Sequence, residues 1–197
     1  MGNFGSFTVF PGGVADPTDA NLKVTALRET MEETGLLLNK NIKALKESKT
    51  LMNVDLDSLV HLSTWITPPH EKYRFHTTFY LLIVHDIPDC TPDGVEIVDV
   101  YCKTIPELLQ DFRNGKISLM PPQWVLLSVL NGDIDQDKFS GIIDPELLYR
   151  SEKEFILALP GDYKHSKKSN KKFRIIGKLE NGKAIDYALV DTQLGKL

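Results

Sequence analysis

A chain of 197 residues is long enough to bury a core of its own. It is 42% apolar and 25% charged, with a net charge of −4 and a pI near 5.7, which argues against a general nucleic-acid binder and leaves a small molecule as the expected partner. No run approaches the roughly 18 apolar residues of a membrane span, no secretory signal is visible, and two cysteines, Cys90 and Cys102, are too few for a disulfide framework and lack metal-site spacing.

Residues 7–13 read as a short strand running into a Gly-rich turn, Phe10-Pro11-Gly12-Gly13. Residues 20–34 read as a helix stopped by Gly35, a residue suited to the left-handed position after a helix end. Residues 36–38 leave it as a short strand, and 39–58 form a charged, partly helical excursion whose lysines, Lys40, Lys43, Lys46 and Lys49, drift around a helix without defining a face. A strand over 59–67 contains Trp65 and is closed by Pro68-Pro69. Residues 75–85 give the clearest strand pattern, aromatic and β-branched, and 95–101 alternate enough for another. Helices are expected over 105–113, with Pro106 in the first turn and Gly115 beyond the end, and over 122–130, stopped by Asn131-Gly132. In the tail, Lys167, Lys168, Lys171, Lys172 and Arg174 precede two alternating segments joined by Asn181-Gly182, a strong hairpin signal. Helices interleaved with strands indicate an α/β layered domain.

The chemistry concentrates in Arg28-Glu29-Thr30-Met31-Glu32-Glu33-Thr34-Gly35-Leu36. At about 100° per residue, Glu29, Glu32 and Glu33 fall within one third of a helix circumference, opposite Val24, Leu27 and Met31. One face can pack. The other holds three carboxylates that repel unless a cation sits among them, and Mg²⁺ or Mn²⁺ suits clustered carboxylate oxygens. An acidic face standing alone is usually a solvated surface. Here Gly12-Gly13 precede the helix by one loop, Arg28 adjoins the first Glu, and Gly35 ends it.

This arrangement resembles the Nudix box, G-x5-E-x7-R-E-U-x-E-E-x-G-U with U a bulky apolar residue. The R-E-x-x-E-E-x-G core is complete from Arg28 to Gly35. Upstream, five residues after Gly13 lead to Asp19 in place of Glu, with eight residues before Arg28; counting back seven lands on Ala20. Either Asp19 stands in across a loop one residue longer, or that carboxylate is absent. Thr30 takes the first U position. The resemblance implies metal ligation by Glu29, Glu32 and Glu33, a structural role for Arg28, and a Nudix-type α/β/α sandwich with a mixed sheet. It also implies a strand ahead of residue 7, for which six residues leave no room; the expectation is that Met1 is an internal start and the first strand is missing.

Further segments, in order over 7–165, resemble the coenzyme A and acyl-coenzyme A diphosphatases of the moiety-X motif 19 type: Trp65-Ile66-Thr67-Pro68-Pro69 with Arg74-Phe75-His76-Thr77, Asp93-Gly94-Val95-Glu96, Leu119-Met120-Pro121-Pro122-Gln123, and Leu159-Pro160-Gly161-Asp162. One domain is expected over 1–197, with 166–197 as a basic loop and hairpin extension. The resemblance implies metal-assisted cleavage of coenzyme A or acyl-coenzyme A into 3′,5′-ADP and (acyl)phosphopantetheine, with Glu29, Glu32 and Glu33 holding the cation and Glu32 or Glu96 taking the proton of the attacking water. Gly12 and Gly13 would let the backbone approach the phosphates. Arg74 is either a surface charge or a phosphate ligand, Trp65 a packing residue or a base-stacking platform, and Glu96 an ordinary exposed acid or an extra ligand. The lysine cluster is either solvated or a contact for the 3′-phosphate of coenzyme A. The alternatives to this activity are an ADP-ribose or dinucleotide diphosphatase and an inactive Nudix-fold binding protein. Gly195-Lys196-Leu197 resembles the peroxisomal S-K-L address, with mitochondrion or cytoplasm as the other locations. The oligomeric state is not readable from the sequence.

Overall fold

The computed structural model describes residues 7–38, 50–51, 54–85, 90–92, 94, 97–167 and 169–194. The chain divides into two compact units. An acidic-helix unit comprises Phe10–Leu62 and Thr78–Lys103; a hairpin-sheet unit comprises Met1–Val9, Ser63–Thr77 and Thr104–Leu197.

In the acidic-helix unit, α1 spans Leu22–Thr34. Its free N-terminal amides are capped by Asn21, whose side chain accepts from Lys23 N and Val24 N. Gly35 ends it at φ 74°, with its N–H donated to Met31 O at 2.8 Å. Leu27 and Met31 are buried, as the spacing predicts, and Thr25 and Thr34 join them. Strand β1 (Leu36–Leu37) pairs in parallel with β2 (Thr50–Leu51). Leu27, Leu36, Leu38 and Leu59 form the core, with Val54, Leu56, Tyr80 and Leu82 packed around it. Each buried leucine contributes roughly 1.5–3 kcal/mol relative to exposure. Lys23 Nζ ties α1 to Leu56 O at 2.9 Å.

Strand β3 covers Val60–Ile66 and β4 covers His76–Leu81. These belong to a three-stranded sheet of order β4-β3-β5, in which β5 (Gly141–Ile143) runs parallel to β3 with Thr64 opposite Ile142. In the hairpin-sheet unit, α2 (Ile105–Arg113) opens with a capping box between Thr104 and Glu107, and α3 (Pro121–Leu130) opens on two prolines, which need no backbone partner there. Strands β6 (Glu146–Arg150), β7 (Glu154–Ala158), β8 (Lys171–Glu180) and β9 (Lys183–Gln193) form an antiparallel sheet in that order. Asn181 (φ 50°) and Gly182 (φ 78°) both take left-handed angles, the turn that matches strand twist. Aromatic rings fill this core: Phe112 stacks on Tyr187 at 5.3 Å, and Phe139 contacts both Trp65 and Phe173. Tyr187 donates its hydroxyl to Leu119 O, and its burial pushes the phenol far above its usual range.

Several expectations are corrected. Residues 7–10 are not a strand; Thr8 N donates to Ser118 O, and Pro11 has no N–H to extend a ladder. The strand expected over 75–85 is confined to His76–Leu81. Residues 97–101 form no strand, and Val98 is almost fully exposed, so no neighbouring surface rewards the alternation. Residues 39–49, 52–53, 93, 95–96, 168 and 195–197 lie outside the described residues, and with them most of the charged excursion, Glu96 and the Gly195-Lys196-Leu197 terminus. Among the described residues no helix is long and apolar enough to cross a membrane.

Candidate active site

Arg28 is the hub of the acidic helix. Its Nε donates to both oxygens of Asp19 at 3.1 and 3.3 Å, and Nη2 to Asp19 Oδ2 at 3.0 Å and to Val14 O at 3.1 Å. Its Nη1 donates to Glu29 Oε1 at 2.9 Å and to Glu32 Oε2 at 3.0 Å. Every side of the planar guanidinium is engaged, which fixes the helix against the loop from the Gly-rich turn. Asp19 is therefore present as Arg28's partner. The Arg28 hydrogen bonds hold its carboxyl down to about 2, and the same contacts push Arg28 further up. The turn that delivers Asp19 is closed by Asp16, whose Oδ1 accepts from Thr18 N and Oγ1 while its N–H donates to Asp19 Oδ2. Sequence reading passed over Asp16 and Thr18, although D-x-T is a spacing that makes such side-chain turns.

The Gly-rich turn meets the same helix. Gly12 N donates to Glu33 Oε2 at 2.9 Å. At Gly13 an added Cβ would stand 2.4 Å from the Glu29 carboxylate, so only glycine admits that carboxylate in its place. The structure thus brings together Gly12, Gly13, Asp19, Arg28, Glu29, Glu32 and Glu33. Glu96 falls outside the described residues.

Arg74 and Trp65 lie in the hairpin-sheet unit. Arg74 is half-exposed; its Nε donates to Thr67 O at 2.9 Å, and Nη2 stands 4.0 Å from Asp144 Oδ1. Trp65 is 4% exposed, stacked 6.2 Å from Phe139 with the rings 8° apart, and its Nε1 donates to Ser63 Oγ. That is a packing position: the ring's face is taken and its donor is satisfied, so no base stacks on it.

Among the described residues no three His, Cys, Asp or Glu side chains already form a metal cage. Glu29 and Glu32 turn toward Arg28, and Glu33 toward Gly12. The residues nonetheless fit a hard divalent cation on three counts. The donors are all carboxylate oxygens. Three carboxylates face one guanidinium and a fourth, Glu33, sits on the same helix against Gly12 N, leaving an excess of negative charge. And Glu32 Oε1 is buried with no hydrogen-bond partner, an orphan acceptor of the kind a cation satisfies.

The family model described as the NUDT19 Nudix domain matches residues 48–130. A putative nudix hydrolase 7 of Caenorhabditis elegans is 32% identical over 188 residues, covering 79% of this chain and 63% of that protein. The acyl-coenzyme A diphosphatase NUDT19 of Xenopus laevis is 26% identical over 167 residues, covering 64% of this chain and 41% of that protein. The chain therefore spans between about two fifths and two thirds of these relatives. A crystal structure of a Nudix hydrolase from Alicyclobacillus acidocaldarius superposes with a TM-score of 0.57 at 24% identity, over 71% of this chain and 84% of that one, a likeness of fold. The chain is similar to Nudix superfamily proteins, and its mixed α/β fold is of that type. Within that superfamily it resembles the NUDT19 branch.

Proposed function

We propose that the protein is a divalent-metal-dependent diphosphatase acting on a nucleoside diphosphate linked to a second moiety, with coenzyme A or an acyl-coenzyme A as the substrate class. The observation that carries the reading is the acidic cluster at α1: Asp19, Glu29 and Glu32 drawn together by one arginine, Glu33 held by Gly12 N, a glycine turn pressed against them, and one buried carboxylate oxygen on Glu32 left without a partner. The name of the Xenopus relative supports the substrate class.

Glu29, Glu32 and Glu33 would hold Mg²⁺ or Mn²⁺. When bound, such a cation neutralises diphosphate charge and makes the attacking water more acidic. Arg28 keeps the Glu29 and Glu32 carboxylates from swinging into solvent, a positioning role. Gly12, with open space where a Cβ would stand, leaves room for a phosphoryl group at the rim of the cluster, while Gly13 admits the Glu29 carboxylate. The water oxygen forms the new P–O bond, the bridging P–O bond breaks, and the released proton passes to a carboxylate oxygen of the cluster that is not ligating.

The test is to incubate the purified protein with Mg²⁺ against coenzyme A, ADP-ribose and NADH and to identify the products. Release of 3′,5′-ADP from coenzyme A is the expected result. Preferential cleavage of ADP-ribose or NADH would replace the substrate class. Calorimetric Mn²⁺ binding with no turnover of any substrate would replace the enzyme with a binding protein.

A further inference from the structure

The loop leading into α1 is clipped to Arg28 at two points. Val14 O accepts from Arg28 Nη2 at 3.1 Å, and Asp19 takes both Nε and Nη2. Between them lies Asp16-Pro17-Thr18-Asp19, a four-residue turn closed by Asp19 N donating to Asp16 O at 2.9 Å. Pro17 fixes φ at the second position, and aspartate suits the first. Three more hydrogen bonds lock the turn. Asp16 N donates to Asp19 Oδ2 at 3.0 Å, and Asp16 Oδ1 accepts from Thr18 N at 2.8 Å and from Thr18 Oγ1 at 2.6 Å. Asp16 and Thr18 are exposed, so hydrogen bonds and not packing set this shape. The side chain of Asp19 is only 5% exposed, so an exposed turn delivers a buried carboxylate.

Asp19 Oδ2 accepts from Asp16 N and from Arg28 Nη2, which ties the Nε–Nη2 edge of the guanidinium to the turn. The guanidinium is planar and rigid, so fixing that edge aims Nη1. Nη1 is the nitrogen shared by Glu29 Oε1 at 2.9 Å and Glu32 Oε2 at 3.0 Å. With Oε2 held there, Oε1 is the Glu32 oxygen left buried and unpartnered. Eight residues separate Asp19 from Arg28, and an aspartate reaches one methylene less far than a glutamate. A long connection carrying a short acid has many ways to miss the arginine, and the locked turn removes them.

We infer that Asp16 and Thr18 are positioning residues of the acidic cluster. The turn they close aims Asp19, Asp19 fixes the plane of Arg28, and Arg28 sets the Glu29 and Glu32 carboxylates for a divalent cation. The last link rests on the diphosphatase reading; the links up to Arg28 do not.

The links up to Arg28 are tested in the metal-free protein by NMR, following exchange of the Arg28 Nε proton with water. That exchange is slow while Asp19 accepts the proton. In Asp16→Ala it is expected to quicken about tenfold, as for the loss of one or two hydrogen bonds. Asp16→Asn keeps an Oδ1 acceptor and should stay near wild type. Thr18→Val loses the hydroxyl but keeps the amide donor, so it should fall between, and it serves if Asp16→Ala does not fold. Unchanged exchange in Asp16→Ala and Thr18→Val, or no rescue by Asp16→Asn, overturns the proposal. The last link is tested by calorimetric titration with Mn²⁺. Affinity should weaken several-fold in Asp16→Ala, recover in Asp16→Asn, and fall no further when Asp16→Ala is added to Asp19→Asn, because residues acting in one chain are not additive. Faster Arg28 exchange with Mn²⁺ affinity intact, or additive losses, also overturns it, confining the turn to local structure. No Mn²⁺ binding by the wild type, with the Arg28 exchange behaving as expected, removes the diphosphatase reading and leaves the turn as the device that sets Arg28.

Discussion

The two units each build a charged cluster around an arginine gripping a buried aspartate, and the two grips are nearly the same. Arg28 uses Nε and Nη2 on Asp19; Arg174 uses Nε and Nη2 on Asp162. What stands beside them differs in sign: Glu29 and Glu32 accept from the first arginine, whereas the Tyr163 ring, with Lys164 near its face, lies against the second. The bidentate pair is therefore a positioning device that carries no net charge. The side chains left over set the charge of each cluster. The depth of the pair differs as well. Asp162 is wholly buried with two backbone donors of its own, whereas Arg28 spreads its donors over three carboxylates and a carbonyl.

That difference predicts where removing the arginine costs most. Arg174→Ala leaves Asp162 buried without its countercharge, and the expected loss is about 3 kcal/mol of unfolding free energy, measured by urea denaturation. A loss below about 1 kcal/mol would show that the backbone donors alone satisfy Asp162. In the acidic cluster the corresponding effect falls on catalysis. Glu33→Gln keeps the shape and the contact with Gly12 N but removes a charge. Metal-dependent kcat is expected to fall roughly hundredfold or more, about 2.7 kcal/mol of barrier, with unfolding unchanged. Activity near wild type would take Glu33 out of the metal site.

Legibility in the sequence divides along similar lines. Features written in a few consecutive residues came through: the stop of α1 at Gly35, the span of α2, and the Asn181-Gly182 turn. The Arg28–Glu32 contact follows the same local logic, because side chains at i and i+4 on a helix are neighbours. Strands β5, β6 and β7 were not read. The bulge between Leu147 and Tyr149 breaks the two-residue period of β6, and Phe155 to Leu159 is a continuous apolar run with no alternation. The lysine cluster looked uniform for a related reason. Only strand register tells Lys171, paired to Asp191, from Lys172, and only the fold brings Tyr163 to Arg174 across 11 residues. The stacking role weighed for Trp65 was undone by its depth, which no local pattern encodes.

A pH experiment sharpens the comparison further. The Arg28 hydrogen bonds bring Asp19 down from 3.8 to about 2. A carboxyl with a lowered folded pKa contributes stability that is complete above its unfolded value and drains away as pH falls through the folded one. Wild type should therefore lose this contribution, on the order of 1–2 kcal/mol, between about pH 4 and pH 2. Asp19→Asn should lack that limb, so the two stabilities should converge at the acid end. A constant gap from pH 6 to pH 2 would mean that Asp19 acts through packing and not through charge.

The smallest expected effect on stability is also the most specific. Gly13 and Gly177 are both too crowded for a Cβ, each with a nearest atom at 2.4 Å, but the obstacles differ. At Gly177 the neighbour is the Phe155 ring, held in the sheet with Tyr187 at 3.0 Å on the other side, so alanine there overpacks a fixed core and should cost about 1–3 kcal/mol. At Gly13 the neighbour is the Glu29 carboxylate, the free end of a flexible side chain. Gly13→Ala can be accommodated by moving that carboxylate off Arg28, so the thermal midpoint should barely change, while Mn²⁺ affinity and kcat fall together. The two alanine variants then separate: one lowers the melting temperature with the catalytic constants intact, the other does the reverse. If Gly13→Ala leaves metal affinity and turnover at wild-type values, the Glu29 carboxylate has no part in holding the cation, and the acidic cluster must work through Glu32 and Glu33 alone.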